Sequence, residues 1–246
     1  MRYVIGTGWW CSKKEGTEGK EFGLKKVGHP AIRSQQFFHV WQYFLRRYTK
    51  PVKVVVVDSA SPLPPPVTMP NPGFEYISLD RNYHAVKNTL FNGWIRGFMT
   101  GAWYAWNCDS DFIYVEQDCL VVGRGWVEAL YEASGKRKPL YGSKFRNPIQ
   151  QSLVFVPHAM IPRFLYIMAQ IRKAMTCETR FHEISKVKNG IGYGILPFGV
   201  GRVRPIDWKS KHLYVQHWTD AELRQLGKRE GVNGMITKLL NGTLNL

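Results

Sequence analysis

Apolar positions along this chain follow two periods. Arg2–Thr7 (RYVIGT), Val52–Val57 (VKVVVV), Phe74–Leu79 and Phe112–Val115 are short β-favouring runs. Between them, apolar residues return every third or fourth position, as on an amphipathic helix. After Pro30, suited to a first helical turn, the set Phe37, Val40, Trp41, Phe44, Leu45 and Tyr48 predicts one helix. A second is expected from about Ala85 to Trp106, where Gly93, Gly97 and Gly101 recur every fourth residue. Each glycine costs a helix about 1 kcal/mol relative to alanine, so the stripe predicts close approach of another backbone, with the helix crossing the sheet under its acidic strand. Strands alternating with helices in this order make an α/β fold.

The second half continues the pattern. Trp126–Ser134 reads as a helix closed by Gly135, Leu140–Ser143 and Gln151–Val156 as strands, and Ile161–Ala174 as a helix with Phe164, Leu165, Met168 and Ile171 at core spacing. His212–Trp218 (HLYVQHW) alternates like a strand, and Thr219 with Glu222 forms a capping box opening a last helix. Cys11–Gly28, polar and glycine-rich with five lysines, reads as a loop that either closes over phosphates or is a solvated insertion. Pro62–Pro72 holds six prolines and reads as a stiff surface connection. No composition break marks a second domain, so residues 1–246 are read as one.

Chemistry concentrates where strands stop. Phe112–Val115 ends abruptly in Glu116, Gln117 and Asp118. Continued as a strand, this places Glu116 and Asp118 on one face and Gln117 on the other. Ligands of open α/β sheets bind beyond the carboxyl ends of the strands, and paired hard oxygen donors there suit a divalent cation carrying a phosphorylated ligand. The plain alternative is an acidic turn. Asp58, in DSAS at the tip of the second strand, either meets a nucleotide or caps its own turn through Ser59 and Ser61. The first strand runs from Thr7 into Gly8, Trp9 and Trp10, where a ring is offered to a ligand or packed inside.

Composition narrows the partners. With 34 basic and 18 acidic residues the net charge is +16, a field that attracts anions, with the basic groups scattered (Arg46, Arg47 and Lys50; Lys136, Arg137 and Lys138). Fourteen percent aromatic residues allow rings for stacking on a sugar or base. There is no compact basic helix, RNP-like strand or zinc module, which argues against a nucleic-acid binder, the rival from a different class. Cys11, Cys108, Cys119 and Cys177 lack metal spacing and read as reduced thiols of a cytoplasmic protein. Met1–Trp10 reads as a strand rather than a signal peptide, and Thr89–Trp106 as a buried helix, so any membrane contact is expected to be peripheral.

VVVVDSAS, LDRN before a helix, and SDFIYVEQDCLV followed by GWVEAL together resemble the nucleotide-sugar-dependent glycosyltransferases of the GT-A fold. The resemblance implies a Rossmann-like sheet with flanking helices that becomes mixed toward the C-terminal half, with residues 1–130 binding the donor and 131–246 the acceptor. It implies a donor site from Thr7, Gly8, Trp9, Asp58, Asn82, Glu116, Gln117 and Asp118. Glu116-Gln117-Asp118 stands where the family carries its DxD motif, so the first acid departs from the usual letter. Mn²⁺ or Mg²⁺ would be held by Asp118, Glu116 and His217, the last otherwise a core histidine on the face of Leu213 and Val215. Glu178 looks like the family's base, its alternatives being a helix cap or a surface acid. The implied reaction moves a sugar from a nucleotide diphosphate to a glycan or other hydroxyl, with inversion, an anionic glycan being one candidate acceptor. The nearest rival is a nucleotidyltransferase, for which GTGWWCSKK is a poor phosphate loop.

Overall fold

The computed structural model describes residues 1–12, 28–66, 73–83, 92–135, 138–144, 147–171, 175–186, 190–199 and 201–244. The lysine-rich stretch 13–27, residues 67–72 of the proline-rich connection, Lys136 with Arg137, and the helix start expected at Ala85 lie outside the described residues.

Among the described residues seven strands form one sheet in the order β3-β2-β1-β4-β7-β6-β8. They are β1 (Tyr3–Trp9), β2 (Lys53–Asp58), β3 (Phe74–Ser78), β4 (Asp111–Val115), β6 (Leu140–Lys144), β7 (Asn147–Val156) and β8 (Gly194–Ile195). The four strands of the first half are parallel, while β7 runs antiparallel to β4 and to β6. The α/β class and the mixed second half are thus as expected. Continuous Val/Ile runs build β1, β2 and β4 because both sheet faces are covered.

On one face, α1 (Gln35–Tyr48), α3 (Trp126–Ser134), α6 (Asp220–Glu230) and α7 (Asn233–Leu240) share a core with Tyr3, Ile5, Val54, Val56, Ile113 and Val115. On the other, α2 (Asn92–Asn107), α4 (Ile161–Gln170) and α5 (Cys177–Lys186) bury Val4, Val55, Val57, Phe112 and Tyr114. The alternation of β1, β2 and β4 between these two cores is the period of two made physical.

Several boundaries differ from expectation. Pro30–Arg33 is a 3₁₀ turn, and α1 starts only after extended Ser34, whose Oγ accepts from Phe37 N–H at 3.3 Å. The glycine stripe of α2 runs along β1 and the acidic strand β4: a Cβ on Gly97 would stand 3.4 Å from the Gly8 Cα, and one on Gly101 3.0 Å from the Phe112 ring and 3.9 Å from the Gly6 Cα. Phe112 of β4 fills the flank of this seam. The predicted capping box is present, Thr219 and Glu222 exchanging side-chain and backbone bonds at the start of α6.

The acidic stretch does not continue as a strand. After Val115 the chain turns, Cys119 N–H donating to Glu116 C=O at 3.0 Å, and β5 (Cys119–Val122) leaves the main sheet to pair antiparallel with β9 (Leu213–Gln216). That two-stranded ribbon carries the late segment of the chain to the mouth of the main sheet. No described helix is long and apolar enough to cross a membrane, and the four cysteines carry no disulfide.

Candidate functional site

Strand order reverses at β1. The chain leaves it toward β2 and β3, then returns to its other side as β4. The carboxyl ends of β1 and β4 therefore diverge at a topological switch point, the place where such sheets take ligands. Glu116, Gln117 and Asp118 form the turn at the β4 side of this crevice.

Gln117 closes the turn onto β1. Its Oε1 accepts from Trp10 N–H at 2.7 Å and its Nε2 donates to Trp10 C=O at 2.9 Å, so the side chain acts as one more rung between the strand ends. Glu116 and Asp118 face the other way, as strand alternation anticipated, but the cause is different. Both are held by one group, the Nε2 of Gln216 at the end of β9, which donates to Asp118 Oδ1 at 2.9 Å and to Glu116 Oε2 in a short bond. Burial first, then the adjacent Asp118 charge, push Glu116 up to about 8.

His217 follows Gln216 in a left-handed conformation, φ 60°, which breaks the alternation of β9. It therefore leaves the face of Leu213 and Val215 expected for it and brings Nε2 to 3.7 Å from Asp118 Oδ2. Burial brings its pKa down to about 4, against the pull of Asp118 and helped by Arg202, Arg33 and Arg204, so the imidazole is neutral near pH 7. Gly28, at φ 89°, packs on the His217 backbone, where a Cβ would meet it at 2.9 Å. Arg33 reaches the same Asp118 oxygen at 4.0 Å.

Glu178 sits in the first turn of α5, and its Oε1 accepts from Arg202 Nη1 at 3.0 Å. Arg202 Nε donates to Gln216 Oε1 at 2.8 Å, and Gln150 Nε2 donates to the same oxygen at 3.3 Å. One continuous polar chain thus joins Glu178, Arg202, Gln216, Glu116 and Asp118.

The remaining expected site residues lie at the same end of the sheet with other duties. Asp58 is buried, its carboxylate accepting from Ser61 N–H at 3.1 Å, from Ser61 Oγ and from Tyr76 Oη at 2.9 Å, so in this structure it organises its own turn. The Trp9 ring, expected at a strand tip, is turned into the α1 core, edge-on to Phe38 at 5.2 Å with Nε1 bonded to Leu63 C=O. Thr7 is buried, and Gly8 N–H donates to Tyr114 Oη at 3.2 Å. Asn82 lies beyond β3 and is half-buried.

Arg202, Gln216 and Gln150 escaped the sequence reading. Arg202 follows a glycine-rich run, Gln216 sits inside a strand pattern, and Gln150 precedes one. The signal that marks them is polarity in buried positions, Gln150 and Gln216 fully and Arg202 partly, which only the fold reveals.

Among the described residues no group of three or more His, Cys, Asp or Glu side chains is placed to hold a metal ion. What is present is a two-donor edge, Asp118 Oδ2 and neutral His217 Nε2. Such an edge fits a cation that draws its other ligands from a bound diphosphate and water rather than from a closed protein cage. Glu116 reaches that edge only through Gln216.

No protein-family model matches the chain, and none of the curated proteins does. Among solved structures the chain is similar to a protein from Bacillus anthracis described as a glucose-1-phosphate thymidylyltransferase, in complex with sucrose (12% identity, TM-score 0.46, 98% of this chain and 99% of that one). It is also similar to residues 1–349 of TarS from S. aureus in complex with UDP (11% identity, TM-score 0.45, 100% and 71%). A third is the apo form of the glycosyltransferase GlyE from Streptococcus pneumoniae TIGR4 (7% identity, TM-score 0.39, 78% and 45%). At these identities and scores the likeness assigns no activity.

Proposed function

We propose that the chain is a glycosyltransferase that binds a nucleotide-diphosphate sugar at the β1/β4 crevice and moves the sugar to a hydroxyl acceptor. The observation that carries this reading is the pair of acids at the switch point, Glu116 and Asp118, locked by Gln216, with Asp118 Oδ2 left facing the neutral His217 Nε2. Mn²⁺ or Mg²⁺ held by Asp118 and His217 would neutralise charge on the departing diphosphate. The half on the β1–β4 side takes the donor, and the half containing α5 takes the acceptor.

In the transfer step the acceptor oxygen bonds to the anomeric carbon while the bond from that carbon to the diphosphate breaks. The electron pair leaves with the nucleotide diphosphate, and the acceptor's proton passes to Glu178. A base acting directly in this way makes the displacement single and inverts the anomeric centre. Arg202 occupies one Glu178 oxygen, leaving the other for the acceptor. Arg33, close to Asp118, adds positive charge beside the departing group. The net charge of +16 favours an anionic glycan as acceptor.

Thermal melts with UDP, GDP and CDP, each with and without Mn²⁺, test the reading. A nucleotide at 100 times its Kd adds about 2.7 kcal/mol, which for a chain of this size is a rise of about 5–10 °C. That rise is expected only with the ion and is expected to vanish in Asp118→Ala. Glu178→Gln is expected to lower kcat for sugar transfer far more than donor KM. Nucleotide binding indifferent to Mn²⁺ and to Asp118→Ala would refute the site, and release of pyrophosphate in place of the diphosphate would identify a nucleotidyltransferase.

A further inference from the structure

The orientation of the Gln216 amide decides what the acidic turn can do, and something must set it. Amide oxygen and nitrogen are alike in shape, so only hydrogen-bond partners distinguish the two ways round. One way, the two N–H groups meet Glu116 and Asp118. Turned over, the carbonyl oxygen would oppose the Asp118 carboxylate in a buried setting, and the two N–H bonds to Glu116 and Asp118 would be lost.

Two donors meet the other end of the amide, and they are not equal. Gln150 is itself an amide, and its own Oε1 is buried with no hydrogen-bond partner among the described residues, so none of them fixes from its far side which way it faces. Arg202 has donors and no acceptor, so its Nε can only face an oxygen. At the oxygen end of the amide, Arg202 is therefore the partner that admits only one orientation, matching the one Asp118 selects at the nitrogen end. Its other end holds Glu178. Burial opposes its charge, but Glu116 and Glu178 outweigh burial and hold its pKa above the usual value. Its place is set by the backbone: Gly201 lies flat on the Tyr214 ring, where a Cβ would come within 2.9 Å, and Gly201 C=O accepts from Gln216 N–H at 2.8 Å.

We propose that Arg202 is a positioning residue: one nitrogen of its rigid plane fixes the Gln216 amide, and through it Glu116 and Asp118, while another fixes Glu178. The acceptor-side acid and the donor-side carboxylates are thereby held in register by a single guanidinium. This deepens the transferase reading and rests on it for its catalytic consequence, though not for its structural one. Lysine would keep the charge but offers one compact ammonium, which cannot make both contacts in fixed geometry.

The structural part is read in the full chain by ¹H–¹⁵N spectra of the Gln216 side-chain NH₂, identified by its loss in Gln216→Ala. With carboxyl oxygens of Glu116 and Asp118 accepting from the NH₂, the two signals are expected well separated from free glutamine and slow to exchange. In both Arg202→Lys and Arg202→Met they are expected to move toward the free position, with the fold checked by thermal melt. The catalytic part is read as UDP or GDP release from a panel of UDP- and GDP-sugars. A fall in kcat of about 100-fold is expected in both variants, the scale of a misplaced reacting group. Free guanidinium is expected to restore Arg202→Ala where ammonium does not. Gln216 signals unmoved in Arg202→Met, or wild-type behaviour of Arg202→Lys in both assays, would overturn the proposal. If the signals move as stated while the wild-type chain turns over no nucleotide sugar, the positioning stands and the transferase reading falls.

Discussion

The glycine stripe of α2 offers a prediction in which two neighbouring, chemically identical substitutions should differ, one stabilising and the other not. Replacing glycine by alanine in a helix is worth about 0.5–1 kcal/mol if the new methyl fits. At Gly97 it does: the nearest atoms to a Cβ are the Gly8 Cα at 3.4 Å and the Val57 Cβ at 3.9 Å, ordinary van der Waals contacts. Gly97→Ala should therefore stabilise the chain by nearly the full amount. At Gly101 the Cβ would stand 3.0 Å from Cζ and 3.2 Å from Cε2 of Phe112. That ring has no room to withdraw, because it is fully buried, lies edge-on to Phe98 at 5.3 Å, and passes so close to Gly6 that a Cβ there would fall 2.5 Å from it. Overpacking of this kind costs about 1–3 kcal/mol, so Gly101→Ala should come out neutral to about 2 kcal/mol destabilised after the helix gain is counted. Thermal melts should separate the two variants by several degrees, at about 2–4 °C per kcal/mol for a chain of this length, and urea midpoints should move in the same order without a change in slope. Equal stabilisation of both would mean that Phe112 is free to move, and the explanation of the stripe as a fixed helix-to-strand spacing would be wrong.

Two further perturbations probe the surroundings of the site. Gln117→Ala removes both bonds to the Trp10 backbone and should cost about 1–3 kcal/mol in urea unfolding, while Gln117→Glu, which sets a carboxylate oxygen against Trp10 C=O, should be no better near pH 7; a loss under about 0.5 kcal/mol in both would show that the rung is idle. His39 on α1 has a lowered pKa, through burial first and Arg46 second, and its Nε2 is buried without a hydrogen-bond partner among the described residues. Since its folded-state pKa lies below the unfolded value of about 6.5, its contribution is intact above that pH and is lost as pH falls toward the folded pKa. The urea midpoint should drop between pH 7.5 and 5.5, and His39→Leu should flatten that drop; an unchanged slope would remove His39 from the account.

The sheet and its helices were legible because their cause is local. Runs such as Val54–Val57 and the three-four spacing of Phe37, Val40, Trp41, Phe44 and Leu45 state their period in the sequence, and the caps at Thr219 and Gly135 state their ends. The switch point was legible in outline, since an acid that ends a buried strand has few other places to be. What could not be read was partnership. Asp58 as a turn organiser, Trp9 turned inward, and His217 swung off its strand by a positive φ all depend on contacts made across the fold. Gln216 and Arg202 lie about 100 and 86 residues from Glu116, and no periodicity connects positions that far apart.

That partnership also explains the choice of residue between the two carboxylates. A lysine or arginine in place of Gln216 would pair with Glu116 and Asp118 directly and cancel the negative field of the turn. An amide supplies two N–H donors without a net charge, so it fixes both side chains and leaves their field largely intact. Arg202 stands behind the amide and spends a contact on Glu178 instead. Negative potential consequently remains at Asp118 Oδ2, on the side where the neutral His217 nitrogen lies 3.7 Å away. A site arranged only for stability would gain more from direct ion pairing, since carboxylates brought together under cover are costly unless matched. With Arg33 no nearer than 4.0 Å to that oxygen, the edge at the mouth of the sheet is only loosely matched, the arrangement expected if further positive charge arrives with the ligand.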